Sequence, residues 1–253
     1  MKRRFWVTGA ALMLLSLPLI LRGQGRGRES FSEPQENVPY DGRFTFARIQ
    51  YASGEAFSFR RREPEWSHDY PRAEIHFSKL LGELSTIVTR DDGSVILSLD
   101  DPALTRFPVA YMAEPGFWRP TEAEVLGLRN YLVKGGFLIF DDFAGQHWLN
   151  LEAQIRRVFP DATPLRLDPS HPIFNSFYSI ESLEYYHPYY GVPSEFWAVF
   201  EENDPTKRML MMINYNNDIA EYWEYSDTGM FPIDLSNEAY KLGINYLVYA
   251  LTR

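Results

Sequence analysis

From residue 44 onward, apolar residues fall into short blocks separated by stretches in which they recur every three or four positions. The first pattern marks strands and the second marks helices. Residues 44–51 set Phe44 and Phe46 among Arg48 and Gln50 and predict a first strand. A polar stretch, 52–70, follows, with Arg60, Arg61 and Arg62 in a row. Connections this long are uncommon and often functional. Pro71 then opens a predicted helix over 72–84, because proline suits the first helical turn. Its apolar positions, Ile75, Leu80, Leu81 and Leu84, recur near helical spacing.

Residues 88–99 contain the turn Asp91-Asp92-Gly93-Ser94 and predict either a strand pair or a strand with a loop. Residues 107–112 form a short apolar run, a buried strand. Thr121 and Glu124 have the spacing of a capping box. The helix they open carries Val125, Leu128 and Leu132, and Gly135-Gly136 stops it. Residues 137–140 are a further strand. Strand, helix and strand with tight connections make a βαβ unit, so the two strands should be parallel. A helix is predicted over 149–159, strands over 165–167, 196–200 and 209–214, and a final helix over 237–252 capped by Ser236 or Asn237. The expected fold is therefore α/β, with one domain over 42–253.

The N-terminus changes this picture. Lys2, Arg3 and Arg4 precede an uncharged run, 5–21, interrupted by Pro18, and a polar stretch rich in Gly and Arg follows. This is the order of a secretory signal, and the run is short for a span of about 20 residues. No clean cleavage pattern follows Leu21, so residues 1–23 read as a signal peptide or an uncleaved anchor. Residues 24–41 read as a flexible leader. The chain is expected to be exported, either periplasmic or membrane-anchored facing the periplasm.

Composition narrows the chemistry. The formal net charge is -9, which makes nucleic acid a poor partner. No cysteine is present, which removes disulfides, thiolate metal sites and cysteine nucleophiles. Aromatic residues make up 16% of the chain, read as a large aromatic core rather than a stacking surface. No P-loop, dinucleotide fingerprint, Gly-x-Ser-x-Gly elbow or His-Glu-x-x-His motif occurs.

In open parallel sheets, ligands bind beyond the carboxyl ends of the strands. That rule brings His68, Asp69, Tyr70, Glu114, Asp141, Asp142 and His147 to one edge. Adjacent carboxylates such as Asp141-Asp142 either raise one pKa or attract a cation, although aspartate after a strand is also a good helix cap. Asp69 reads first as the cap of the helix after Pro71, while His68 reads equally as solvated or as a metal ligand or acid/base group. Asn214, Asn216 and Asp218 have alternate spacing, but Ile219 and Tyr225 break a calcium loop, and a polar turn is the better reading. Tyr185, Tyr186, Tyr189 and Tyr190 flank His187 as either an aromatic platform or a packed loop. His171-Pro172-Ile173 reads as a turn.

These stretches together resemble a known family. Residues 44–51, Asp69-Tyr70-Pro71, Tyr131-Leu132, Gly135-Gly136-Phe137-Leu138, Asp141-Asp142, His171-Pro172-Ile173 and the closing Leu242-Gly243-Ile244-Asn245 are similar to the bacterial domain of unknown function 4159. The resemblance implies a flavodoxin-like, class I glutamine amidotransferase-like three-layer sandwich with a mostly parallel sheet, and no established activity. Amidotransferases place a cysteine on the turn that here reads Asp141-Asp142-Phe143-Ala144, so glutaminase chemistry is excluded. Fold similarity alone carries no function. The expected role is a non-catalytic binding domain of the bacterial envelope, for a protein, glycan or small molecule. The alternatives are a metal-assisted hydrolase using Asp141 and Asp142, or an assembly subunit whose cleft is filled by Trp66, Phe117 or Trp148. No cofactor is assigned.

Overall fold

A computed structural model describes residues 34–53, 64–185 and 187–253. The signal or anchor at 1–23, the Arg60–62 run and Tyr186 lie outside the described residues. Seven strands form one sheet in the order β2-β1-β3-β4-β7-β6-β5. They are β1 (Ala47–Ile49), β2 (Val95–Leu97), β3 (Val109–Ala113), β4 (Phe137–Phe143), β5 (Leu165–Arg166), β6 (Glu195–Phe200) and β7 (Met209–Tyr215). The first four and β7 run parallel, and β6 and β5 close one edge antiparallel. The order 2-1-3-4 followed by a fifth parallel strand is that of flavodoxin-like sheets, whose switch point lies between β1 and β3.

Strand side chains alternate between two cores, as the pleat requires. Val109, Tyr111, Phe137, Ile139 and Met212 face helices α1 (Arg72–Leu84), α4 (Ile219–Glu224) and α5 (Ile233–Thr252). Ala110, Met112, Leu138, Phe140 and Ile213 face α2 (Glu122–Val133) and α3 (His147–Val158). The molecule is thus layered α/β/α, and its parallel strands are continuous apolar runs because both faces are covered. The predicted capping box is formed: Thr121 Oγ1 accepts from the Glu124 amide while Glu124 accepts from the Thr121 amide. Such a cap is worth about 1 kcal/mol. Gly127 is required by a close approach, since a Cβ there would stand 2.2 Å from the Leu99 carbonyl oxygen.

Several boundaries differ from the sequence reading. β4 continues through Asp141 and Asp142 to Phe143, because β3 and β7 flank it and extend its ladder. The helix expected over 149–159 starts at His147, and α5 starts at Ile233, directly after Pro232. The polar turn expected around Asn214 to Asp218 is instead the end of β7, a left-handed Asn216 and the start of α4. The end of the segment read as a flexible leader is fixed: the Asn37 side chain donates to and accepts from the Ile96 backbone, on the outer edge of β2. Covering an edge in this way removes a pairing hazard. Among the described residues, no helix is long and apolar enough to cross a membrane.

Candidate metal centre

Four connections leave the carboxyl ends of β1, β3, β4 and β7 and meet in one cleft of about 310 Å³. The connection after β1 brings His68 and Asp69. Buried Arg48, on β1, holds this connection: its Nη1 donates to the Trp66 carbonyl at 3.0 Å and the His68 carbonyl at 2.8 Å, and its Nε pairs with Glu74. An arginine fork suits this task because its donors are fixed in one plane. β3 delivers Glu114, β4 delivers Asp142, and the start of α4 delivers Asp218 and Glu221. His147, at the start of α3, and Tyr189 and Tyr190 complete the walls.

Backbone conformation at the cleft is unusual. Asp69, Glu114, Asp142 and Asn216 all have positive φ, between 45° and 65°. Left-handed non-glycine residues cost about 1 kcal/mol or more each and cluster at functional sites. At Asp142 the consequence is direct. The register of β4 against β7 shifts between Phe140 and Phe143. Such an irregularity re-aims a side chain near a strand end.

The adjacent carboxylates therefore diverge. Asp141 is fully buried and accepts four hydrogen bonds, from Tyr111 Oη, Asn214 Nδ2 and the amides of Ile219 and Ala220. It is a cap, as the alternative reading allowed, but of α4, far along the chain. Burial, then the charge of Asp142, pushes its pKa up to about 7 against those donors. Asp142 instead meets His68, with Nδ1 2.7 Å from Oδ2, and accepts from Tyr190 Oη at 2.8 Å. Burial raises its pKa, but the charge of His68 and the hydrogen bonds from His68, Tyr190 and Asp218 together outweigh that and hold it below the ordinary range. The His68 pKa lies well above its ordinary value, chiefly through the charge of Asp69, with burial opposing and Asp142 adding.

Asp69 corrects its first reading. Its carboxylate does not cap α1, whose N-cap position is Pro71 and lacks a side-chain cap bond. It is buried instead, 3.4 Å from His68 Nδ1 and against the Glu221 carboxyl. No N–H or hydroxyl of the described residues donates to either of its oxygens. Burial, and then nearby carboxylates against the His68 charge, pushes its pKa well up. Of the two readings of His68, the structure favours the site: its side chain is 31% exposed and turned to the acids. Asp218 caps α4 by accepting from the Glu221 amide at 3.0 Å, and burial, then Asp142, raises its pKa.

Ligand atoms of His68, Asp69, Asp142 and Asp218 all lie within 4.8 Å of one another. A second group with the same spread is formed by Asp69, Glu221 and Glu224. Among the sequence candidates, Glu114 and His147 line the cleft with His68 and Asp142, whereas Tyr70 stands apart, its hydroxyl accepting from the Gln35 amide at 2.9 Å. Trp66, Phe117 and Trp148 do not line the cleft. Sequence reasoning missed Glu221 and Glu224, and set Asp218 aside as part of a polar turn. An Asp-x-x-Glu spacing ahead of Tyr222 and Trp223 was the available helix-start signal.

The fold and cleft define a doubly wound α/β protein with an acidic, histidine-bearing site at its strand ends. The sequence profile of the family described as Domain of unknown function (DUF4159) matches residues 45–251, and the chain belongs to that family. A comparison with curated proteins finds no match.

Proposed function

We propose that the chain is a divalent-cation-binding domain that uses the cation to hold an oxygen-bearing ligand in the strand-end cleft. One observation carries this reading: His68, Asp69, Asp142 and Asp218 converge within 4.8 Å, and the buried Asp69 carboxylate receives no hydrogen-bond donor. Its nearest cation is His68, 3.4 Å away and shared with Asp142, so three buried carboxylates meet one imidazole, a deficit that a metal ion fills. One imidazole with three carboxylates suits ions of the manganese or zinc kind. The cleft leaves room for a ligand beside the ion. A second reading, metal-assisted hydrolysis, is favoured by Glu114 and His147, which line the same cleft and are suited to proton transfer.

The basic, apolar and polar order of residues 1–30 supports export, so we place the domain in the bacterial envelope, with a glycan, small molecule or envelope protein as partner. The strand order, and Asp142 at a left-handed bend where amidotransferases carry their cysteine, support kinship with class I glutamine amidotransferase-like domains.

Metal content and thermal denaturation of the purified full-length chain test the reading, with magnesium, calcium, manganese and zinc added in turn. At about 100 times Kd, a specific cation adds about 2.7 kcal/mol of stability. That gain should vanish in Asp142→Asn. If no cation binds or shifts the wild type, the reading fails.

A further inference from the structure

We propose that the cleft takes two divalent cations rather than one, the second held by Asp69, Glu221 and Glu224, with Asp69 shared between them. This inference rests on the cation-binding reading above and extends it. Asp69 is the residue common to both groups of converging ligand atoms, each within 4.8 Å. Its side chain is buried, and neither Oδ1 nor Oδ2 receives an N–H or hydroxyl from the described residues. A single ion on the His68 side engages one oxygen and leaves the other buried without a partner, which is costly. An ion on the Glu221 side engages the other oxygen.

The frame for the second ion is rigid. Glu221 and Glu224 stand one turn apart on α4, both buried, and α4 is anchored at its start by Asp218 and Asp141. The Glu221 carboxyl lies against Asp69, and the hydroxyl of Tyr189 reaches it. Carboxyl groups in direct contact must share either a proton or a cation, and a bridging cation relieves their crowding. The two sites differ in chemistry. The first offers one nitrogen and the second offers oxygen alone, so manganese suits both and magnesium or calcium suits the second. Two ions sharing a carboxylate would clamp two oxygens of one ligand, which points to phosphate esters and related oxyanions as the ligand class. The acidic cleft would repel these without the ions.

The deciding experiment is equilibrium dialysis of the full-length chain against Mn²⁺, read by bound metal per chain and by electron paramagnetic resonance. The expected result is two equivalents with an exchange-coupled signal. Glu224→Gln should reduce this to one uncoupled equivalent, and Glu221→Gln should do the same if the first variant does not fold. One equivalent in the wild type, unchanged by Glu224→Gln, overturns the second ion and leaves the cation reading standing. Two uncoupled equivalents overturn the shared Asp69. No bound metal overturns both.

Discussion

Asp141 and Asp142 are neighbours in one strand and both are buried, yet their surroundings are opposite. Around Asp141, Tyr111, Asn214 and two amides of α4 supply donors, and Tyr246 donates in turn to Asn214. Every polar group in that node is used within the protein. Around Asp142, Tyr190 donates and His68 pairs, but Asp218 and Asp69 crowd the same space and Asp69 has no N–H or hydroxyl donor. A saturated carboxylate stabilises the fold, whereas three buried carboxylates that share one imidazole cost stability until further positive charge joins them. Burial does not separate a structural acid from a site acid; the balance of donors against carboxylates does.

Asp141→Ala puts this contrast to its most severe test. It strands the Tyr111 hydroxyl, the Asn214 amide and two backbone amides, and should cost about 4 kcal/mol, read as a fall in Tm and in the denaturant midpoint. A loss below about 1 kcal/mol would show that the node is not what fixes α4.

His187 offers an intermediate test. Its ring is buried among Tyr189, Tyr190, Tyr222 and Phe231, and burial, against the Asp142 charge, lowers its pKa to about 4. The folded value lies below the unfolded one of about 6.5, so the unfolded chain binds more protons between the two. Stability is therefore complete above pH 6.5 and falls as the pH drops toward 4, by about 2 kcal/mol from this group. His187→Phe should remove that part of the slope. Parallel pH profiles of wild type and variant would count against this assignment.

For Asp69 the sign reverses. Asp69→Asn keeps a residue that tolerates the left-handed backbone and removes one of the crowded charges. Without cations it should raise stability by about 1 kcal/mol, while stabilisation by added Mn²⁺ disappears. A variant less stable than wild type in chelator would make Asp69 a structural acid like Asp141.

The smallest effect belongs to Tyr190→Phe, which removes the hydroxyl from Asp142 Oδ1. Stability should change by less than about 1 kcal/mol, and cation affinity by several-fold, measured by titration calorimetry. An unchanged affinity would detach the tyrosine wall from the site.

Much of the fold was legible in the sequence because it rests on local or periodic signals. The Thr121–Glu124 box, the Gly135-Gly136 stop and the apolar runs of β3 and β4 each follow from residue chemistry over a few positions. The rule that sites lie beyond parallel strand ends then brought His68, Asp69, Glu114, Asp142 and His147 together. What stayed hidden was long-range. α4 has six residues, too short for a periodic signal, and Asp218 resembled a turn residue. Asp69 resembled a cap because its burial under α4 is decided 150 residues later in the chain, about where Asp218 lies.

By itself the sequence determined the class of the molecule, because alternation and helical periods are properties of neighbouring residues. It also determined which chemistries are absent, because a chain without cysteine has no thiolate to offer. Tertiary structure alone decided which of two adjacent aspartates is spent and which is available. A hydrogen bond from Ala220 to Asp141 spans 79 positions, and no local pattern encodes it. The left-handed turn at Asp142 and the shift in register beside it swing the second carboxylate away from the first, and that geometry exists only once β4 is paired on both sides.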